Sequence, residues 1–252
     1  MTTTSPAPAP LSRTGQGRPA PPPPRQPKAG ACYTLSAKQS KRPANAADPA
    51  PCSRRHTART YRVGALPKRV IGARGDPDTA AIAHFVTPRC DRRFARHVGG
   101  TRASRVLSRL QPVWFVPSPS QLARGARWYR CDVVALATAD AMARLPRRTA
   151  GVLDAGNALD SWGLCSTTAP SRVGHRVICG RPHSWRAFAI IRPGAGSRWP
   201  SSAAFAAARQ ECKARARAQQ GYPLRWTYGW QRPSRSQWQD GRRWGYCWAP
   251  VK

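Results

Sequence analysis

One stretch occurs twice in this chain, and that repetition limits the possible folds more than any other feature. Residues Trp114 to Cys131 read W-F-V-P-S-P-S-Q-L-A-R-G-A-R-W-Y-R-C, and Trp230 to Cys247 read W-Q-R-P-S-R-S-Q-W-Q-D-G-R-R-W-G-Y-C. Without a gap they agree at nine of eighteen positions: Trp114/Trp230, Pro117/Pro233, Ser118/Ser234, Ser120/Ser236, Gln121/Gln237, Gly125/Gly241, Arg127/Arg243, Trp128/Trp244 and Cys131/Cys247. The likeness continues upstream. Cys52 opens C-S-R-R-H-T-A-R-T-Y and Cys179 opens C-G-R-P-H-S-W-R-A-F, each with a His four residues on and an Arg seven on. Each copy holds four cysteines, Cys32, Cys52, Cys90 and Cys131 in the first and Cys165, Cys179, Cys212 and Cys247 in the second. A duplicated unit follows from this pattern.

The expected fold class is α+β, with two small homologous disulfide-stabilised domains after a disordered Pro-rich N-terminal arm. The arm covers 1–30, the first domain 31–138, a connector 139–160 and the second domain 161–252. Each domain is expected to hold a few antiparallel strands and one main helix. In the first, strands fall at Ala31–Leu35, in Cys52–Leu66, around Val113–Val116 and over Ala126–Ala137, with a helix in Thr79–Phe94 carrying Cys90 and a short one in Arg102–Leu110. Gly72 to Asp78 reads as a loop, and Ala and Met in 139–143 favour a helix in the connector. In the second domain, strands are expected in Gly163–Ser166 and Arg225–Trp230, a strand, the Cys-His turn and a strong apolar strand with Ala187 to Ile191 over Arg176–Ile191, and a helix over Ser201–Ala218 with Ser at its start and cations near its end.

Domains of roughly 80 to 110 residues gain from covalent bracing, so four cysteines per copy read as two disulfides each. Zinc is the competing use, but its ligands come in pairs two to four residues apart and these cysteines are never closer than 14 residues. No metal and no cofactor is expected. Connectivity stays open at three possibilities per domain. Disulfides require an oxidising compartment. No run of about 18 apolar residues occurs and Met1 to Gly30 has no apolar signal core, so an export or anchor segment is expected ahead of Met1.

With 43 Lys and Arg against 10 Asp and Glu, the chain carries +33 and attracts polyanions whatever its fold. Candidate binding residues are those the repeat shares: His56 and His183 after the cysteines, Trp114 and Trp230 before the Pro-Ser loop, and Arg127 and Arg243 in the signature. Trp and Arg together suit planar or anionic ligands. Trp128 and Trp244, three residues before a Cys, are expected to pack over a disulfide. Gly125 and Gly241 fit a turn with positive φ. Catalysis is not expected, because a paired Cys cannot act as a nucleophile and no carboxylate recurs between the copies to orient the imidazoles.

The order of a Cys, then C-S-x-x-H-x-A leading into a strand, then a helix with Cys, then W-x-x-P-[ST]-x-x-x-W-x-x-G-x-R-x-x-x-C resembles the septum-formation family of actinobacterial membrane-anchored or secreted proteins. Cys52, Ser53, His56 and Ala58 carry it in the first copy. Cys179, Pro182, His183, Trp230, Pro233, Trp238, Gly241, Arg243 and Cys247 carry it in the second. The resemblance implies two tandem copies of an extracytoplasmic domain linked to septation or the cell envelope, with no catalytic residues to carry over. Beside the histidines, where that family has acidic residues, this chain has Arg54, Arg55, Arg59, Arg181 and Arg186. The expected partners are anionic cell-wall polymer, anionic lipid head groups or an acidic envelope or division protein. The alternative is a basic nucleic-acid-binding protein of the cytosol, which would keep its cysteines reduced.

Overall fold

Each Cys-terminated signature ends in a strand flanked on both sides within an antiparallel sheet. The computed structural model describes residues 24–45, 47–71, 79–170 and 175–251. The Gly72–Asp78 loop and residues 1–23 of the arm lie outside the described residues.

The first sheet has the order β1-β2-β4-β3, with β1 at Cys32–Tyr33, β2 at Ala58–Ala65, β3 at Leu110–Phe115 and β4 at Trp128–Ala135. The second has the order β6-β5-β7-β9-β8, with β5 at Leu164–Ser166, β6 at Arg176–Ile178, β7 at Trp185–Ile191, β8 at Gly229–Gln231 and β9 at Gly245–Pro250. With the extra edge strand β6 set aside, both sheets follow one sequence order: first, second, fourth, third. Even an irregularity recurs. Strand β2 is bulged between Thr60 and Arg62, and β7 between Ala187 and Ala189, each starting eight residues after the unit's second Cys.

The disulfides repeat as well. Cys32 pairs with Cys52 and Cys90 with Cys131, while Cys165 pairs with Cys179 and Cys212 with Cys247. First-to-second and third-to-fourth pairing in both units resolves the connectivity. The second bond of each unit ties its long helix to its sheet. Helix α2, Thr79–Val98, buries Ile82, Val86, Cys90, Phe94 and Val98 on one side despite an internal Pro88. Helix α6, Ser202–Gln219, buries Phe205, Ala208, Cys212 and Ala216, and its cap Ser201 accepts from the Ala204 amide.

Strand β4 is buried along all eight residues because both its faces are covered. One face packs Tyr129 and Cys131 against α2; the other packs Trp128 and Val134 with Tyr33, Leu35 and Phe115. This corrects the expectation for Trp128. It is a core residue, yet an odd interval of three places it on the face opposite Cys131. Trp244 likewise joins the cluster of Trp248 and Tyr246, away from Cys247. The tryptophans on the disulfide faces are Trp114 and Trp230, which stand directly across the ladder from Cys131 and Cys247.

Two further expectations change. The Ala-Met stretch after β4 forms a tight turn, not a helix: Leu136 bridges Met142, Ala137 donates to the Ala141 carbonyl, and Thr138 Oγ1 accepts from the amides of Asp140 and Ala141. Local side-chain bonding to backbone outcompetes helix propensity there. The only helix in that region is α5, Ala158–Trp162. The arm also ends earlier than expected. Gly30, at φ +84°, turns residues 24–29 back along the first sheet and donates its amide to the Thr60 carbonyl.

The two units share core. Ile178 packs with Phe94 and Val133 of the first unit and Leu153 of the connector, and Leu107 packs with Leu164 and Trp248 of the second. Backbone bonds from Leu164 N to Leu107 O and from Ile178 N to Ala137 O join them. Among the described residues no helix is long and apolar enough to cross a membrane.

Candidate functional site

The repeated residues form a scaffold. Ser118 and Ser234 cap the one-turn helices α4, Pro119–Ala123, and α7, Arg235–Gln239; each accepts from the amide of the Gln three residues on, whose side chain accepts from the cap amide in return. Ser120 and Ser236 contact those cap hydroxyls at 3.0 and 2.9 Å. Gly125 and Gly241 turn the chain out of the helix at φ +88° and +89°. Arg127 donates to the Leu122 and Ala126 carbonyls, both at 2.7 Å, closing the end of α4. Arg243 has a buried Nε with no hydrogen-bond partner.

Trp114 donates to Thr87 Oγ1 and packs on α2. Trp230 packs against the Cys212–Cys247 side and lines a shallow groove with Phe205, Arg209 and Arg232. Both histidines do one job. His56 Nδ1 contacts the Arg54 carbonyl at 2.9 Å and His183 Nδ1 the Arg181 carbonyl at 2.7 Å, so each ring pins the turn two residues before it. His56 is buried, with Nε2 unpaired, at the edge of a cleft beside Arg144 and Arg147. His183 lies near both sulfurs of Cys165 and Cys179, all within 4.8 Å of one another. Those sulfurs are joined to each other and so offer no thiolate to a metal. The six candidates are thus distributed over both units, with His56 and Trp230 at separate clefts.

A different set converges on the first unit. Arg130 and Asp132 alternate with Cys131 on β4, so both point away from the disulfide, onto the face of Trp128. Arg130 is 2% exposed and Asp132 0%, with Nε and Oδ2 3.2 Å apart. That contact is an ion pair outside hydrogen-bond geometry. Thr60 Oγ1, directly across the ladder, donates to Asp132 Oδ1 at 2.6 Å. The Arg130 guanidinium lies 3.6 Å from the Tyr33 ring centre and 4.7 Å from that of Phe115. Burial pushes the Asp132 carboxyl up to about 6, against the opposing pull of Arg130 and the Thr60 hydroxyl. Burial also raises the Tyr33 phenol.

Above this layer opens a cleft of about 720 Å³. Tyr33, Trp128 and Arg130 line it, residues 24–29 form one wall, and Asn45, Gln121 and Arg124 lie on its rim. It gathers Arg25, Lys28, Arg124 and Arg130 against one acid, Asp48. Two buried donors that line it, Arg130 Nη2 and Trp128 Nε1, have no acceptor. Reasoning from the repeat missed Arg130 and Asp132 because they differ between copies, although Trp128 and Gln121 beside them are shared. A signal was present: strand alternation puts Arg130 and Asp132 on one buried face where the second copy has Tyr246 and Trp248.

Fold and site together define a disulfide-braced α+β protein of two like-ordered sheets with a basic cleft on the first. The family model for septum formation matches residues 29–228 in one span, and the chain belongs to that family. The span starts just before β1 and ends just before β8, so it takes in the whole first sheet and β5, β6 and β7 of the second, while β8 and β9 lie beyond it. No curated protein and no solved structure matches the chain.

Proposed function

We propose that the protein is a noncatalytic binding protein of septum formation that works outside the membrane of an actinobacterium, secreted or membrane-associated, with two copies of one septum-formation-type unit in tandem. The observation that carries this reading is the disulfide pattern, repeated in both units of a chain from a septum-formation family. Such bonds persist in oxidising compartments. Binding rather than catalysis is supported by the histidines, whose Nδ1 atoms are held by their own turns, beside cysteines already paired. The partner is an anionic wall polymer, an anionic lipid surface or an acidic division protein, drawn by the +33 charge.

The test has two readouts in the native host. A tagged full-length protein is imaged across the division cycle, and purified oxidised protein is sedimented with cell-wall sacculi at about 0.15 M salt, with and without removal of anionic wall polymer. The reading expects septal enrichment and wall binding that falls when the polymer is stripped. A diffuse cytosolic signal with tighter binding to duplex DNA than to sacculi overturns it and favours the nucleic-acid alternative.

A further inference from the structure

We propose that the cleft over Arg130 is a binding site for a sugar or polyol phosphate. This deepens the envelope reading by giving it a site and a ligand chemistry.

The comparison between the two units carries the inference. Thr60, Arg130 and Asp132 occupy ladder positions that in the second unit hold Ala187, Tyr246 and Trp248. There the same face is an apolar seat, with Leu107 packed on it and the Tyr246 hydroxyl reaching the Val106 carbonyl of α3, Arg102–Val106. The fold therefore forms without a buried ion pair at this place. Such a pair replaced by packed apolar side chains is often neutral or stabilising, so its presence needs another reason.

That reason lies in what the trio holds. Asp132 and the rings of Tyr33 and Phe115 fix the guanidinium of Arg130. Nη2 is left without an acceptor, and Trp128 Nε1, which lines the same cleft, is equally unsatisfied; Trp244 Nε1 lacks a partner in the second unit as well, so it is Arg130 that sets this unit apart. Buried donors lacking acceptors are costly and rare, and a ligand oxygen would satisfy them. A guanidinium fork suits phosphate, and Arg25, Lys28 and Arg124 supply further positive charge around the same opening. The indole of Trp128, with the amides of Asn45 and Gln121, supplies apolar surface and hydroxyl partners for a sugar or polyol. The volume is that of a small-ligand site, enough for one or a few units. Its walled shape favours a ligand that enters over a flat bilayer surface.

The test is calorimetric titration of the full oxidised chain at about 0.15 M salt with glucose 1-phosphate, glucose, inorganic phosphate and phosphatidylglycerol vesicles. Glucose 1-phosphate is expected to bind more tightly than inorganic phosphate, with glucose alone undetectable. Trp128→Phe, which keeps an aromatic ring, though a smaller one, and removes the N–H, and Lys28→Gln with Arg124→Gln are each expected to weaken it at least tenfold. Lys213→Gln with Arg217→Gln, equal in charge but on the exposed side of α6, is expected to leave it unchanged. Circular dichroism confirms that each variant folds, and Arg130→Lys serves as a further variant that keeps the charge and loses the fork. No binding of glucose 1-phosphate, an equal loss in the α6 control, or binding to vesicles alone overturns the proposal. Cleft variants that still sediment with sacculi and reach the septum leave the envelope reading standing without this site. A wild type that binds glucose 1-phosphate but ignores sacculi does the reverse.

Discussion

Replacing Arg130 with Met removes the charge that opposes Asp132 and leaves the rings of Tyr33 and Phe115 with an apolar neighbour. Two contributions follow. The cation–π contacts at 3.6 and 4.7 Å account for about 1–2 kcal/mol in so buried a place. The second concerns ionisation. The folded carboxyl, already up at about 6 against 3.8, binds a proton more tightly than the unfolded one, so its stabilising contribution is complete below pH 3.8 and is lost as pH rises through about 6. Without Arg130 the pull that lowers it is gone and the carboxyl moves further up, which adds about 1.4 kcal/mol of loss at neutral pH for each further pH unit. Arg130→Met is therefore expected to lose about 3 kcal/mol at pH 7 and only about 1–2 kcal/mol at pH 5, where both proteins carry a neutral Asp132. Arg130→Met combined with Asp132→Leu removes the ionisation cost altogether and is expected to be as stable as the wild type or more so at pH 7. Urea denaturation at the two pH values measures this. A loss in the single variant that does not change with pH, or a double variant no more stable than the single at pH 7, would refute a low-dielectric ion pair.

Two other outcomes concern the scaffold. Cys90→Ala with Cys131→Ala opens a loop of 41 residues and is expected to cost about 4 kcal/mol, against about 3 kcal/mol for the 14-residue loop of Cys165 and Cys179; urea midpoints give the order, and a reversed order contradicts it. Ser118→Ala and Ser234→Ala each remove one helix cap and are expected to cost about 1 kcal/mol, adding in the double variant because the caps belong to separate units; calorimetric melting checks the sum.

The repeat made the architecture legible. It divided the cysteines four and four and placed the strands that carry the signatures, and the two sheets share their strand order and disulfide pattern. The Arg176–Ile191 stretch reads as a strand, the Cys-His turn and an apolar strand, and β6 and β7 stand on either side of that turn. Trp128 and Trp244 were placed over the wrong face because nearness in sequence stood in for strand alternation. The cleft escaped for a deeper reason. Residues shared by both copies are those the fold needs: Ser118, Gln121 and Gly125 make a cap and a turn, and Trp114 faces its disulfide. What sets the cleft of the first unit apart must lie in what the copies do not share, even though Trp128 and Gln121 also line it. Arg130 and Asp132 are such positions, and a charge on a buried strand runs against the hydropathy pattern by which cores are read.

The central claim, that the protein works oxidised and outside the membrane, is tested most directly by thiol alkylation of protein taken from the native host, followed by intact mass with and without reduction. The account predicts no alkylated cysteine before reduction and eight afterwards. Eight alkylated cysteines without reduction would contradict it, since four disulfides that hold in the folded chain cannot coexist with free thiols at every position.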